Sequence, residues 1–277
     1  MKSIYFLSPA KINLVLQVLK KRDDGYHEIW TIFQKITLFD EIEVKRGRRN
    51  FFLKMEPEFK IPLEKNLVFK AYQKFRESFN IRENCNIWIK KRIPLGGGLG
   101  GGSSNAATLL KALFSLFEIE TDSIYDFGKA LGADISFFLS SYFSAIGEGI
   151  GERLTPFSNF SAWYLLIYPG FEISTKWAYE KLGLTNSKNP VYYSEKIPPW
   201  EQTFGLINDF KRLIWREFRE YEILEKGLKD EGAKAVSLSG TGSTVFGIFE
   251  DKPPFQAYLK LQERFPQVQV FLVKNLE

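Results

Sequence analysis

The first patterned segment of the chain alternates side chains with a period of two. Ile12, Leu14, Leu16 and Val18 alternate with Lys11, Asn13, Val15 and Gln17. This period predicts a β-strand with one face toward a core. Because alternate side chains leave opposite faces of a strand, Lys11 and Asn13 are expected to project together, away from the Ile/Leu face. A turn at 23–25 precedes a second extended segment at 26–42.

Helical spacing of apolar residues follows in three places in the first half of the chain. It predicts helices over 65–79, 103–117 and about 122–131, and Gly132 is expected to end the third. Ser103 or Ser104 is a natural N-cap for the second helix. The alternating segments 40–44 and 51–55 are expected to form a hairpin with a charged turn at 45–49.

The second half of the chain mixes helices and strands without a regular βαβ cadence. Strands are predicted at 163–168, 235–238, 244–249 and 268–273, and helices at 174–182, 210–228 and 255–265. This mixture indicates an α+β fold. Turn-forming residues are frequent at 147–151 and 155–161, so we predict two domains, 1–155 and 156–277.

Composition limits the function classes. The 277 residues are 44% apolar and 26% charged, the usual mix of a soluble globular protein. One cysteine and one histidine exclude a disulfide within the chain and a His/Cys metal cluster. The start of the chain has no long apolar stretch, and no segment approaches the ~20 apolar residues of a membrane span. We therefore expect a cytoplasmic protein. The net charge of +5 suits nucleotides, phosphates or nucleic acid equally.

The most informative stretch is 94–105, which contains six glycines between a predicted strand and a predicted helix. In that position, backbone N–H groups and the helix dipole can hold a phosphate. The stretch lacks the lysine of a P-loop, and the protein-kinase motifs are absent from the chain. A GxGxxG pattern matches at Gly96, Gly98 and Gly101, but no acidic strand end follows, which argues against a dinucleotide fold. On composition alone a flexible linker is also possible.

Three segments together resemble one superfamily. The motifs at 8–14, 94–105 and 238–246 resemble, in order, the N-terminal motif, the ATP loop and the C-terminal glycine motif of the GHMP kinases. The resemblance covers nearly the whole chain. It implies an α+β, two-domain fold with the active site in the crevice between the domains, and ATP and Mg²⁺ as cofactors. Thr241 and Ser243 stand where Ser and Gly are commoner in the superfamily.

Within the superfamily, two further segments are more specific. Gly25-Tyr26-His27-Glu28 and the Gly-Ala-Asp-Ile-Ser-Phe-Phe run at 132–138 resemble the 4-diphosphocytidyl-2-C-methyl-D-erythritol kinase family. The resemblance implies an enzyme that uses ATP to phosphorylate the 2-hydroxyl of 4-diphosphocytidyl-2-C-methyl-D-erythritol, in the non-mevalonate isoprenoid pathway. It also implies a small-molecule substrate, no nucleic-acid or membrane partner, and a monomer or weak homodimer.

The resemblance assigns catalysis and the ATP site. Lys11 would pair with Asp134 and the transferred phosphate, and Asp134 would accept or orient the proton of the acceptor hydroxyl. The alternatives are that Lys11 is an ordinary surface lysine and that Asp134 is a helix N-cap. No metal ligand is certain, although the Ser104 hydroxyl could touch Mg-ATP, or simply cap the helix. The predicted ATP-binding residues are Asn66, Pro94, Gly96, Gly97, Gly98, Leu99, Gly100, Gly101, Gly102, Ser103 and Ser104.

The resemblance also assigns the acceptor site. His27 would hydrogen-bond the cytosine ring, Tyr26 and Tyr179 would sandwich it, and core packing is the alternative for Tyr179. Asn13 and Thr175 would contact the rest of the substrate.

Three competing functions stay open at this stage. Another GHMP kinase, acting on homoserine or mevalonate, would lack the Tyr26-His27 segment. A basic nucleic-acid-binding module would bind oligonucleotides in a salt-dependent way. An NAD-linked oxidoreductase rests on the GxGxxG match alone.

Overall fold

The protein is described by a computed structural model that covers residues 3–47, 51–59, 61–120, 124–184 and 187–277. Within these ranges, a search for helices long and apolar enough to cross a membrane finds none. The predicted charged turn at 45–49 and the predicted start of a helix at residue 122 lie partly outside the described residues.

The elements mix helices with strands that are mostly antiparallel, which confirms the predicted α+β class. The strands are β1 (Ser3–Lys21), β2 (His27–Gly47), β3 (Phe52–Glu56), β4 (Asn84–Lys90), β5 (Ser144–Gly149), β6 (Arg153–Pro156), β7 (Trp163–Tyr168), β8 (Ala235–Leu238), β9 (Val245–Phe249) and β10 (Gln269–Lys274). The helices are α1 (Leu67–Ser78), α2 (Gly101–Leu116), α3 (Ile124–Leu131), α4 (Ala133–Leu139), α5 (Thr175–Leu182), α6 (Lys211–Glu217), α7 (Glu220–Asp230) and α8 (Phe255–Arg264), with 3₁₀ turns at Leu63–Lys65 and Pro199–Glu201.

The chain forms two compact units, each assembled from separate segments. The first unit comprises 1–10, 38–94 and 100–141, and the second comprises 11–37, 95–99 and 142–277. The domains predicted from the sequence, 1–155 and 156–277, stay a prediction, since these units are defined by compactness and not by family boundaries.

In the first unit, β4 lies between β2 and β3. It pairs antiparallel with β2, as in Glu41↔Lys90, and parallel with β3, as in Phe52↔Asn86. The predicted hairpin of 40–44 with 51–55 is therefore wrong. The physical reason is burial: Ile87 and Ile89 of β4 are fully buried and suit a central strand, whereas their partners on β3, Leu53 and Met55, are only partly buried and suit an edge.

Helices cover the core of the first unit. One apolar face of α1 packs on α2, which in turn packs on α4. The rings of Phe75, Phe79 and Phe114 meet with centroids 5.1–5.3 Å apart, partly edge to face. This packing fixes the direction in which α2, and so its N-terminus, points within the unit.

Helix α2 begins two residues earlier than predicted. Gly100 occupies the N-cap position with φ +69°, in the left-handed region, so neither Ser103 nor Ser104 is the cap. A glycine can take this φ without steric cost, and the glycine run therefore ends directly in helix. The predicted single helix at 210–228 is also divided, into α6 and α7, at Phe218 and Arg219.

The second unit is built on an antiparallel sheet in the order β10-β7-β9-β8. Its core lies between this sheet and α5–α8, and includes Leu165, Val245, Leu224 and Leu261. In the same unit β2 pairs with β5, and β5 with β6. The segment 147–151, predicted to be rich in turns, is thus the end of β5 and the turn into β6.

Candidate active site

In the second unit, Lys11 and Asn13 project from the same face of β1, as the alternation predicted. The Lys11 ammonium donates a 2.6 Å hydrogen bond to Asn13 Oδ1, and both side chains are almost fully buried. The Lys11 Nζ also lies 5.5 Å from the centre of the Phe33 ring. A buried ammonium held in this way keeps its charge at a defined position, which suits it to stabilise an anion.

Residues 95–99, the first part of the glycine loop, also belong to the second unit. The Lys11 backbone N–H donates to Leu99 O at 3.0 Å, and Tyr168 Oη donates to Leu95 O at 3.0 Å. The loop therefore begins beside the backbone of β1, next to the predicted catalytic lysine.

The two glycine motifs of the sequence are in contact within this unit. The Thr244 N–H donates to Gly97 O at 3.1 Å, and Ser239 Oγ donates to Gly98 O at 2.9 Å. Gly98 has φ +74°, and a Cβ there would lie 2.2 Å from Ser239 O. Only glycine permits this backbone and this approach. The turn between β8 and β9 thus shapes the loop.

The rest of the glycine loop, from Gly100 onward, lies in the first unit at the start of α2. Helix geometry leaves the first N–H groups of α2 without intrahelical acceptors, and the helix dipole favours an anion there. Among the described residues, a Cβ at Gly102 would contact only Leu67 Cδ1, at 3.8 Å, so these residues leave the space next to this backbone open. An N-terminus with open space suits a phosphate group.

Beneath this N-terminus lies a buried polar network that the sequence analysis missed. Asp40 is fully buried and accepts hydrogen bonds from the Arg92 and Ile93 backbone N–H groups at 2.7 and 2.9 Å. Its other oxygen accepts from the Lys91 ammonium and from Asn105 Nδ2, the latter at 2.8 Å. Burial lowers the pKa of the Lys91 ammonium, and the Asp40 charge opposes that shift. The network links β2, the end of β4 and the first turns of α2.

Ser104 belongs to the same network. Its hydroxyl hydrogen-bonds to Ser8 Oγ at 2.8 Å, and Asn105 Nδ2 donates to that same Ser8 oxygen at 3.0 Å. Ser104 is fully buried. Its predicted contact with Mg-ATP therefore has to share a hydroxyl that already holds β1 against α2.

Asp134 lies in the first turn of α4, where Gly132 is the N-cap. The plain alternative, an N-cap role for Asp134, is therefore wrong. Its neighbours Ile135, Phe137 and Phe138 are buried, whereas Asp134 itself is half-buried.

Two of the predicted acceptor residues, His27 and Tyr179, form a ring cluster with Phe210 in the second unit. The rings of His27 and Tyr179 are tilted by 32° with centroids 4.6 Å apart, and Tyr179 also meets the buried Phe210 ring edge to face at 4.8 Å. Tyr26, in contrast, is 61% exposed. Burial, and then the charge of Lys21, lower the pKa of His27 below its ordinary 6.5. The shift favours the neutral imidazole, which has one nitrogen that donates a hydrogen bond and one that accepts.

Thr175 and Asn66 have hydrogen-bond partners that the sequence analysis missed. Thr175, the first residue of α5, shares a 3.3 Å hydrogen bond with Thr241, one of the residues that depart from the superfamily pattern. Asn66, in the first unit, is the N-cap of α1: its Oδ1 accepts from the Val68 N–H at 2.9 Å. The signal for that cap, an asparagine directly before an apolar helical stripe, was present in the sequence.

Comparison with known proteins places the chain among kinases. Models of the GHMP kinases N terminal domain and of the GHMP kinases C terminal domain match residues 66–142 and 216–267. A crystal structure of a 4-(cytidine 5'-diphospho)-2C-methyl-D-erythritol kinase matches with a TM-score of 0.84 at 29% identity, covering 99% of this chain and 100% of that one. A homoserine kinase from Cytophaga hutchinsonii matches at 0.67 and 19% identity, covering 100% of this chain and 95% of that one, and shows the fold alone.

Two relatives are similar over most of their length. The 4-diphosphocytidyl-2-C-methyl-D-erythritol kinase of Syntrophus aciditrophicus is 40% identical over 253 residues, covering 89% of this chain and 90% of the relative. The enzyme of the same name from Thermodesulfovibrio yellowstonii is 37% identical over 269 residues, covering 92% and 93%. Identity at this level across nearly the whole chain confirms both resemblances inferred from the motifs. The chain is a member of the 4-diphosphocytidyl-2-C-methyl-D-erythritol kinase family, within the GHMP kinases.

Proposed function

We propose that this protein transfers the γ-phosphate of ATP to the 2-hydroxyl of 4-diphosphocytidyl-2-C-methyl-D-erythritol. The acceptor oxygen forms a bond to the γ-phosphorus while the bond from that phosphorus to the β,γ-bridging oxygen breaks. The hydroxyl proton leaves for a base, and ADP and the 2-phosphorylated acceptor are released. Such a transfer depends mainly on positioning and on neutralising charge.

Two charged side chains are proposed to act on the transferred group. The buried Lys11 ammonium, held by Asn13, would stabilise negative charge on the phosphoryl oxygens. Asp134, at the start of α4, would accept or orient the proton of the acceptor hydroxyl. Both roles are carried over from the family.

ATP would be held at the glycine loop. We expect phosphate oxygens to bind at the open backbone of Gly102 and at the N–H groups of the first turn of α2, which helix geometry leaves without intrahelical acceptors. Mg²⁺ is the proposed counter-ion. No group of three or more His, Cys, Asp or Glu side chains suited to a metal ion occurs among the described residues. In kinase sites Mg²⁺ is usually held by one or two carboxylates together with substrate phosphates and water.

The ring pair of His27 and Tyr179 carries the acceptor assignment. A neutral imidazole can donate to and accept from a pyrimidine edge, and an exposed aromatic ring such as Tyr26 offers a face for stacking. A mevalonate or homoserine acceptor has no aromatic ring that could pack against this cluster.

A cytoplasmic location and a monomeric or weakly dimeric state stay predictions.

A panel of acceptors tests the proposal. Mg-ATP is offered with 4-diphosphocytidyl-2-C-methyl-D-erythritol, methylerythritol phosphate, mevalonate and homoserine, and ADP is measured. ADP is expected with the first compound. If ADP is formed only with mevalonate or homoserine, the proposed acceptor is wrong, whereas the assignment to the GHMP kinases still holds.

The role of Asp134 is tested by substitution with asparagine. Asp134→Asn is expected to lower kcat by about 10²- to 10⁴-fold, the usual contribution of a positioned acid–base group. Asp126→Asn, at an exposed position of α3, is the matched control and should leave kcat unchanged. Near-normal turnover of Asp134→Asn would remove this residue from the reaction.

A further inference from the structure

Thr31 is a buried hydroxyl in the middle of an apolar segment of β2. Its neighbours Ile29, Trp30, Ile32 and Phe33 are buried hydrophobic residues, and Thr31 itself is fully buried. No motif in the sequence singles it out. Its hydroxyl nevertheless touches the residue that holds the Lys11 ammonium.

The hydrogen bonds of Thr31 have a fixed direction. Thr31 Oγ1 donates its one proton to Val15 O at 2.6 Å, so toward the Asn13 side chain it can only accept. Asn13 Nδ2 donates to it at 2.8 Å. The amide oxygen of Asn13 must therefore face the other way, where it accepts from Lys11 Nζ.

A wrong amide orientation would be costly at this place. If the Asn13 amide rotated by 180°, its N–H₂ group would face the Lys11 ammonium, donor against donor. Lys11 and Asn13 are 4% and 3% exposed, so bulk water cannot easily replace the lost acceptor. The Thr31 hydroxyl selects one of the two orientations.

We infer that Thr31 is a positioning residue for phosphoryl transfer: its hydroxyl orients the Asn13 amide, which in turn fixes the Lys11 ammonium. This inference rests on the proposed function, because Lys11 is assigned to the transferred phosphate there. A displaced ammonium weakens stabilisation of the transition state more than it weakens binding of the nucleotide.

The experiment compares substitutions that keep or remove the hydroxyl. Thr31→Val removes it at equal volume, and Thr31→Ser retains it. Thr37→Val is the matched control, since Thr37 lies on the same strand and its hydroxyl accepts only from the Lys274 backbone N–H among the bonds described. For each variant we would measure kcat, the KM for each substrate, the Kd for ADP, and Tm.

Thr31→Val is expected to lower kcat by about 10- to 100-fold, as a misplaced catalytic group does, with the Kd for ADP unchanged. Thr31→Ser is expected to keep most of the wild-type kcat, and Thr37→Val all of it. Equal kcat for Thr31→Val and Thr37→Val would overturn the inference, as would an equal loss in Thr31→Ser and Thr31→Val. If Thr31→Val does not fold, the kcat of Thr31→Ala, which also lacks the hydroxyl, is compared with that of Thr31→Ser instead.

A measurement without turnover separates this inference from the proposed function. The side-chain N–H₂ signal of Asn13, identified by its loss in Asn13→Ala, should exchange slowly with solvent in the wild type and in Thr31→Ser. It should exchange fast in Thr31→Val. Slow exchange in Thr31→Val would refute the orienting role, whichever acceptor the enzyme uses. If the wild type makes no ADP with any acceptor, the proposed function fails while this test still decides the inference.

Discussion

Substituting Asp40 by asparagine should destabilise the first unit strongly. In Asp40→Asn, the remaining amide oxygen can still accept from the Arg92 and Ile93 backbone N–H groups. The new N–H₂ group, however, would face two other donors, the Lys91 ammonium and Asn105 Nδ2. The substitution thus removes the counter-charge of a buried ammonium together with the acceptor of two hydrogen bonds.

The size of the effect follows from those two losses. Removing one partner of a buried ion pair costs about 3–5 kcal/mol, because the other charge stays buried and unpaired. Two lost hydrogen bonds, at about 1.5–3 kcal/mol for each that involves a charged group, give a similar total. For a chain of this size, we expect Tm to fall by roughly 6–20 °C. Lys91→Met should cost less, since Asp40 keeps three N–H donors.

Urea unfolding followed by far-UV circular dichroism provides the test. The wild type, Asp40→Asn, Lys91→Met and the double variant form a double-mutant cycle. The double variant should be more stable than Asp40→Asn alone, because removing the ammonium relieves the uncompensated charge. A free energy of unfolding for Asp40→Asn within about 0.5 kcal/mol of the wild type, the range of an ordinary surface substitution, would contradict this expectation, as would single effects that add in the double variant.

Three other predictions concern glycine, tyrosine and histidine. Gly98→Ala should lower the urea midpoint, because the new Cβ would meet Ser239 O. Gly102→Ala should raise the free energy of unfolding by about 0.4–1 kcal/mol and still weaken ATP binding. Equal effects of the two substitutions on stability would contradict the geometry. Tyr164→Phe should leave the free energy of unfolding unchanged or raise it, since this buried hydroxyl has no hydrogen-bond partner among the described residues. A loss of more than about 1 kcal/mol would show that the hydroxyl has a partner. His27, the single histidine, should titrate by proton NMR below pH 6.5 in the folded protein and at about 6.5 in urea. Since its folded pKa is lowered, its contribution to stability is fully present above pH 6.5 and is lost as the pH falls from 6.5 through the folded pKa. A folded pKa at or above 6.5 would contradict this expectation.

Local patterns predicted what depends on local spacing. The alternation around Lys11 and Asn13 placed both side chains on one face of β1, and the structure has them in hydrogen-bond contact. The apolar stripes predicted α1 and α2 to within two residues at each end. These predictions succeed because the period of a strand or helix is a property of consecutive residues.

The contacts between distant segments were not predictable in the same way. Asp40, Lys91 and Asn105 each resemble a solvent-exposed polar residue in the sequence, and only the packing of β2, β4 and α2 buries them together. Thr31 is one hydroxyl within an apolar segment, and its role depends on the strand beside it. The hairpin prediction failed for the same reason, since β4, which lies between β2 and β3 in the sheet, comes from a distant part of the chain.

The glycines of the loop at 94–105 have two separate physical causes. Gly98 is required by the protein itself, since its positive φ and the nearby Ser239 carbonyl exclude any side chain. Gly102 has no such constraint, and a glycine in a helix is less stable than alanine. Its cause must therefore lie outside the described contacts of the fold, and the close approach of a phosphate to the N-terminus of α2 supplies one. The same run of glycines thus attaches the loop to the β8–β9 turn at one position and leaves open, at another, the space where we propose that the nucleotide binds.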